Sequence, residues 1–310
     1  KLTIFPLSLP VMKQREVFHK FPHWLQSACL FLVFIGGLLV CGNTAAILSV
    51  LFFGADALSR TFPLLFVQAF SAVGGFLLPS LWFAGMQRAG RPDFLRARKG
   101  FPPKILLFAL LAYLTLCPFI SAMQEWNANW HFPESWHAWE DFFREKSLRL
   151  EQTSQRMLST RDPLVFACSL LVTAVGAGVC EEFFFRGCLQ NIFRSWFRNR
   201  HAAVWTAAAI FSLFHGDLFG FLPRLFLGAF LGYVYVWSGS IWPPVIVHSL
   251  NNAIIVVVHF LSQNRLLPFD IEKLEQSPHW LIVIPCLLVC GLICRKMATG
   301  SKEKPFQSID

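Results

Sequence analysis

Two adjacent carboxylates and a guanidinium, Glu181, Glu182 and Arg186, interrupt a stretch, VGAGVCEEFFFRGCLQ, that is otherwise apolar enough to cross a membrane. Membrane insertion penalises Asp, Lys or Arg at a bilayer centre by roughly 2.5–3.5 kcal/mol, so ionisable groups at that depth point to function and to specific partners. Groups of fitting chemistry follow downstream: Phe211 and His215 in FSLFH, then His248 and Asn252 in HSLNN. Two carboxylates, two imidazoles and an amide in a dry cavity suit hydrolysis of an acyl bond. A glutamate helped by one histidine can take a proton from water, while a second histidine and an asparagine donate to the oxyanion on the scissile carbonyl.

Helical phase divides the two glutamates. At about 100° per residue, Glu182 and Arg186 stand about 40° apart, whereas Glu181 and Arg186 stand about 140° apart. Arg186 is thus expected to neutralise Glu182 and to leave Glu181 on another face, in apolar surroundings that favour a usable base. The plainer alternative is a structural ion-pair knot of all three. His215 lies 16 residues beyond a loop near residue 199, and Glu181 lies 18 residues before it. In an antiparallel hairpin that mismatch is only about 3 Å, so Glu181 is expected to face His215. Depths counted from the helix starts are about 12 Å for His248, 15 Å for Glu181 and 21 Å for His215. Breaks near Pro243 and Pro244, or helix tilts, must close that spread.

Metal binding is the second chemistry to weigh. Two His and one or two Glu could hold zinc, yet no HExxH is present and the ligands would come from three helices, so no metal or other cofactor is expected. The nine cysteines (29, 41, 117, 168, 180, 188, 286, 290 and 294) fall in or beside apolar segments, which suits buried thiols rather than a disulfide framework. Cys286, Cys290 and Cys294 repeat every four residues with no His or acidic residue on their face, the pattern of a packing stripe.

The elements that must position these groups are membrane helices. The 310-residue chain is 55% hydrophobic and only 15% charged, with 34 phenylalanines and a mean hydropathy of +0.51. Eight candidate spans occupy about 26–53, 62–86, 104–124, 163–190, 201–215, 220–237, 242–262 and 279–295. The fifth is short for a crossing. An all-α integral membrane protein of about eight transmembrane helices with an intramembrane catalytic cavity is expected. Its parts are three N-terminal helices (1–125), an extracytoplasmic interfacial segment (126–161), a catalytic core (162–262), and a last helix with a basic tail (263–310).

The net charge of +9 belongs to topology rather than to nucleic-acid binding. Arg88, Arg91, Arg96, Arg98, Lys99 and Lys104 gather in one loop and Arg194, Arg198 and Arg200 in another, which places both on the cytoplasmic side. Lys13, Arg15 and Lys20 at the front, with Arg295, Lys296, Lys302 and Lys304 at the end, put both termini inside. Residues 1–23 lack the form of a secretory signal, and the opening Lys1 leaves a start farther upstream open. The polar segment from Trp126 to Arg161 carries Trp126, Trp130, Trp136 and Trp139, with Ser135 as a candidate cap, and reads as an interfacial anchor or lid on the outer surface.

The ordered series EExxxR (Glu181, Glu182, Arg186), FxxxH (Phe211, His215) and HxxxN (His248, Asn252) on membrane helices resembles the CPBP family, which includes type-two CAAX prenyl proteases and bacterial Abi proteins. The resemblance covers about residues 160–260. It implies an intramembrane endopeptidase of the glutamic type, with Glu181 and His215 activating water, His248 and Asn252 binding the oxyanion, and Glu182, Arg186 and Phe211 supporting. The flanks GFLPRLFLGAFLGY and WSGSIWPPVIVHSLNN look like bacterial members, so a bacterial cytoplasmic membrane is expected. Gly228 and Gly232 would allow close helix approach. Arg224 reads as a snorkelling interface residue, with a structural cation as the alternative.

The expected substrate is a peptide or protein in or at the bilayer, lipidated or simply hydrophobic, with no nucleic-acid partner. Two other classes stand beside this reading: a non-catalytic immunity or scaffold protein that keeps the fold, and a transporter with proton-carrying carboxylates. A scaffold needs none of Glu181, His215, His248 and Asn252, and the chain lacks the internal repeat expected of a transporter.

Overall fold

The computed structural model describes residues 18–87, 93–158, 160–267 and 278–300. Those residues form helices and connecting turns, with no strand among them. In chain order the main helices are α1 (His23–Phe53), α2 (Thr61–Gln87), α3 (Pro103–Ala128), α4 (His137–Leu158), α5 (Pro163–Phe197), α6 (Arg200–Phe214), α7 (Phe221–Ser238), α8 (Trp242–Gln263) and α9 (Trp280–Gly300). Seven of them, all but α4 and α6, are long and apolar enough to cross a membrane. The chain is an all-α, multi-pass membrane protein.

The fifth of the eight spans expected from sequence is α6. It holds 15 residues, about 22 Å of helix, against a hydrocarbon layer of about 30 Å. Its ends are set locally: Asn199 accepts from the N–H groups of His201 and Ala202 at the start, and His215 closes it. Elsewhere Pro103 and Pro163 open α3 and α5, where their missing N–H groups have no helical partner in any case. Asp162 caps α5 through the N–H groups of Leu164 and Val165. Gly239, at φ 68°, ends α7 in the left-handed region.

The bundle has two rims of different character. At one, residues 96–99 dock on the start of α8: Trp242 Nε1 donates to Ala97 O at 2.8 Å, and Ser240 Oγ donates to Lys99 O at 2.7 Å. Arg96, Arg98, Lys99, Lys104, Arg194, Arg198 and Arg200 belong to this rim by position in the chain. Arg88, Arg91, Lys13, Arg15, Lys302 and Lys304 lie outside the described residues.

At the opposite rim α4 crosses the ends of its neighbours. Thr61 Oγ1 donates to Arg156 O, Ser169 Oγ to Met157 O, and Ser147 Oγ to Asp217 Oδ1. Glu140 pins the start of α4, accepting from Phe132 N–H and Arg144 Nε. The backbone N–H of Phe132 and then the Arg144 side chain hold its carboxyl down at about 2. Trp126, Trp130, Trp136 and Trp139 are exposed around it. Ser135 lies inside a short 3-10 turn (Glu134–Trp136), which begins at Pro133, so it is not the cap.

Two apolar cores knit the bundle. One stacks Phe34 and Phe83 of α1 and α2 on Phe184, Phe185 and Phe211 of α5 and α6. The other joins Ala109, Ala112 and Leu116 of α3 to Leu227, Leu231 and Val234 of α7 and to Cys290 and Met297 of α9. All nine cysteines are free thiols. Cys290 and Cys294 lie in the α3–α9 seam with their sulfurs 4.0 Å apart, the packing role expected of that stripe.

Candidate active site

The site is built on α5, whose winding is irregular where it matters. Leu170–Gly176 and Phe183–Leu189 are π-helical turns, on either side of the short α-helical piece that carries Glu181 and Glu182. A π turn holds more residues than an α turn, and such turns recur at functional sites. Across this irregular winding Arg186 still pairs with Glu182 and not with Glu181, as the helical phase predicts.

Glu182 is fully buried and its Oε1 accepts twice: from Arg186 Nη1 at 2.7 Å and from His248 Nδ1 at 2.8 Å. The first bond is the pairing expected from sequence. The second was not legible there, and it ties α8 to α5. Arg186, 1% exposed, also donates from Nη2 to Gly228 O at 3.0 Å and lies over the Phe211 ring at 4.7 Å. A carboxylate paired with a guanidinium is an acceptor only, so the proton of the Glu182–His248 bond sits on Nδ1. His248 therefore leaves Nε2 free of Glu182, 3.9 Å from Glu181 Oε2.

Glu181 Oε2, like Glu182 Oε2, is buried and makes no hydrogen bond. His215 closes α6, with Nδ1 2.9 Å from Phe211 O. A backbone carbonyl cannot donate, so His215 too holds its proton on Nδ1 and keeps Nε2 for other work. The expected hairpin brings His215 within electrostatic reach of Glu181, His248 and Arg224, without a direct hydrogen bond to Glu181. Phe211 stands between the two imidazoles, with ring centroids 4.8 Å from His215 and 5.8 Å from His248. Asn252, one turn after His248, donates from Nδ2 to Thr173 O at 3.1 Å.

The convergence does not come from a break in α8. Pro243 and Pro244 occupy the first turn of that helix, which runs on uninterrupted to Gln263. It comes from the π turns of α5 and from close approach at glycines. A Cβ on Gly178 would run into Ser249 Oγ and lie 3.1 and 3.2 Å from the Ser249 backbone, so α5 and α8 touch beside His248. Gly228 and Gly232 play the expected part between α6 and α7, with Phe211 and Val204 3.1 and 3.0 Å from the positions their Cβ atoms would take. Their carbonyls also receive Arg186 and Gln190, residues four apart on α5, which fixes the register of α5 against α7.

Arg224 is a structural cation rather than a snorkelling one. It binds Asp217 Oδ2 at 2.8 Å across Gly220, where a Cβ would strike both side chains. Burial pushes the Asp217 carboxyl up, but the Ser147 hydroxyl and the Arg224 guanidinium outweigh it and hold the group below the usual carboxylate range. Among the described residues, no three His, Cys, Asp or Glu side chains are grouped to hold a metal ion. Sequence reasoning missed Tyr113, Thr173, Gly178 and Asn251. Tyr113 and Asn251 carried a signal, a phenol and a second amide in apolar helices.

Residues 163–254 match the family model described as type II CAAX prenyl endopeptidase, Rce1-like. No curated protein and no solved structure matches the chain. The matched stretch runs from the start of α5 into α8 and contains Glu181, Glu182, Arg186, Phe211, His215, His248 and Asn252. The likeness to the CPBP family carried by the three motifs therefore holds for this stretch, and at the family level it indicates a membrane protease.

Proposed function

We propose that this chain is an intramembrane endopeptidase that hydrolyses a peptide bond in a membrane-associated, lipidated or hydrophobic peptide. In this reading Glu181, aided by His215, takes the proton from the attacking water. His248, protonated on Nε2 as well as on Nδ1, and Asn252 donate to the oxyanion that develops on the scissile carbonyl, and Glu182, Arg186 and Phe211 hold the imidazoles in place. The observation that carries the reading is Glu181 Oε2, which makes no hydrogen bond and lies 3.9 Å from Nε2 of His248. Glu182 is committed to Arg186 and His248 through Oε1, whereas no hydrogen bond commits Glu181 to the fold, which suits a group that exchanges protons. The Rce1-like match over the same residues agrees with peptide-bond hydrolysis.

The test is purified protein in detergent with a quenched peptide library, comparing wild type with Glu181→Ala and His248→Ala, with and without chelator. Loss of cleavage in both variants, with chelator inert, is expected. Cleavage that survives Glu181→Ala sinks the assignment, and loss on chelation replaces it with a zinc-dependent protease. Absence of any cleavage by wild type across lipidated and unlipidated libraries favours a non-catalytic scaffold.

A further inference from the structure

A chain of hydrogen bonds reaches Asn252 from outside the matched segment. Asn252 Nδ2 faces the backbone carbonyl of Thr173. That carbonyl can only accept, so the NH2 group must point to it and Asn252 Oδ1 must point away. Oδ1 lies 3.0 Å from the Asn251 amide, which must therefore offer its own NH2. Asn251 Oδ1 is then left to accept from the hydroxyl of Tyr113, also at 3.0 Å. One unambiguous acceptor sets the direction of all three bonds.

Thr173 O is available because α5 is widened there. In a regular α-helix the Ala177 N–H would bond Thr173 O, but here it bonds Val172 O and Ala174 O instead. Tyr113 is 5% exposed and sits on α3. A flipped Asn252 amide would set oxygen against Thr173 O and NH2 against the Asn251 NH2, two mismatched contacts at once.

We propose that Tyr113 and Asn251 are positioning residues that hold the Asn252 amide with an N–H, not its oxygen, toward the cavity. The inference rests on the oxyanion role given to Asn252 above. Removing the Tyr113 hydroxyl frees Asn251 to turn and accept from Asn252, which leaves the Thr173 O contact alone to oppose the flip that places oxygen against the developing negative charge.

The experiment uses the full chain in detergent and a peptide it cleaves. It measures kcat and KM for Tyr113→Phe, Asn252→Ala and the double variant, together with the side-chain amide resonances of 15N-asparagine-labelled protein. Asn252→Ala is expected to lower kcat about 10²- to 10³-fold. Tyr113→Phe lowers it about tenfold, the effect of one hydrogen bond, with KM unchanged within about twofold. In the Asn252→Ala background Tyr113→Phe causes no further loss, and by itself it shifts the Asn252 amide resonance. An equal loss in both backgrounds, or an unmoved resonance, overturns the relay. Full kcat in Asn252→Ala overturns the oxyanion reading itself and with it the relay's catalytic purpose. Asn251→Ser repeats both measurements should Tyr113→Phe fail to fold.

Discussion

Replacing Glu182 with alanine should unfold this protein far more readily than any other single change in the site. The carboxylate is fully buried, and one of its oxygens accepts from both Arg186 and His248. Each bond is charge-assisted and contributes about 1.5–3 kcal/mol, so the two together give about 3–6 kcal/mol. Breaking a buried ion pair from one side independently suggests about 3–5 kcal/mol, because the other charge is stranded. Arg186 would keep only Gly228 O and the face of Phe211. The free thiols, several of them buried in helices, supply the assay: a thiol-reactive fluorogenic dye reports melting in detergent as they become accessible. A fall of order 10 °C is expected. The combined change Glu182→Leu with Arg186→Met removes both charges and should recover most of that loss, leaving about 1–3 kcal/mol for the orphaned His248 Nδ1. The reasoning fails if Glu182→Ala melts within about 2 °C of wild type, or if the double change is no more stable than the single one.

The neighbouring carboxylate should behave in the opposite way. Glu181→Gln removes a charge that no hydrogen bond holds, so the same melt should show an unchanged or higher midpoint while cleavage is lost; a lower midpoint would mean that Glu181 holds the fold. Gly178→Ala drives a methyl into Ser249 and should cost about 1–3 kcal/mol with loss of activity, part of which Ser249→Ala restores in both melting and cleavage assays. At the rim, Glu140 has a folded-state pKa below its unfolded one, about 2 against 4.5. Its contribution is fully present above pH 4.5 and is lost as pH falls toward 2. Limited proteolysis should find the start of α4 protected from pH 7 to 5 and cut progressively below, and Glu140→Ala should remove that dependence.

The sequence carried the chemistry more clearly than the geometry. Three spaced motifs named the carboxylates, imidazoles and terminal amide that α5, α6 and α8 contribute, and the i, i+4 spacing alone paired Glu182 with Arg186. Side-chain type and helical period decide such matters, and both are local. The bond from His248 to Glu182 was not legible, because it depends on how α8 meets α5, and neither were the π turns, which form only where neighbouring helices take up the displaced backbone groups. The snorkelling reading of Arg224 failed for a similar reason: its partner, Asp217, stands seven residues earlier, and the two side chains meet over Gly220, where a Cβ would push them aside. The short fifth span was visible as 15 apolar residues, and its length follows from Asn199 at one end and His215 at the other.

The pairing of Glu182 with Arg186 within a single helix also bears on how the protein is made. Segment α5 enters the bilayer before α7 and α8 have been synthesised, so neither Gly228 O nor His248 is there to meet it. Since the counter-ion travels four residues away on the same helix, one negative charge is already neutralised at entry, and Glu181 is the only net charge that residues 163–189 must carry into the lipid. Moving the arginine to another helix would keep the finished ion pair and yet make α5 a poorer substrate for the insertion machinery.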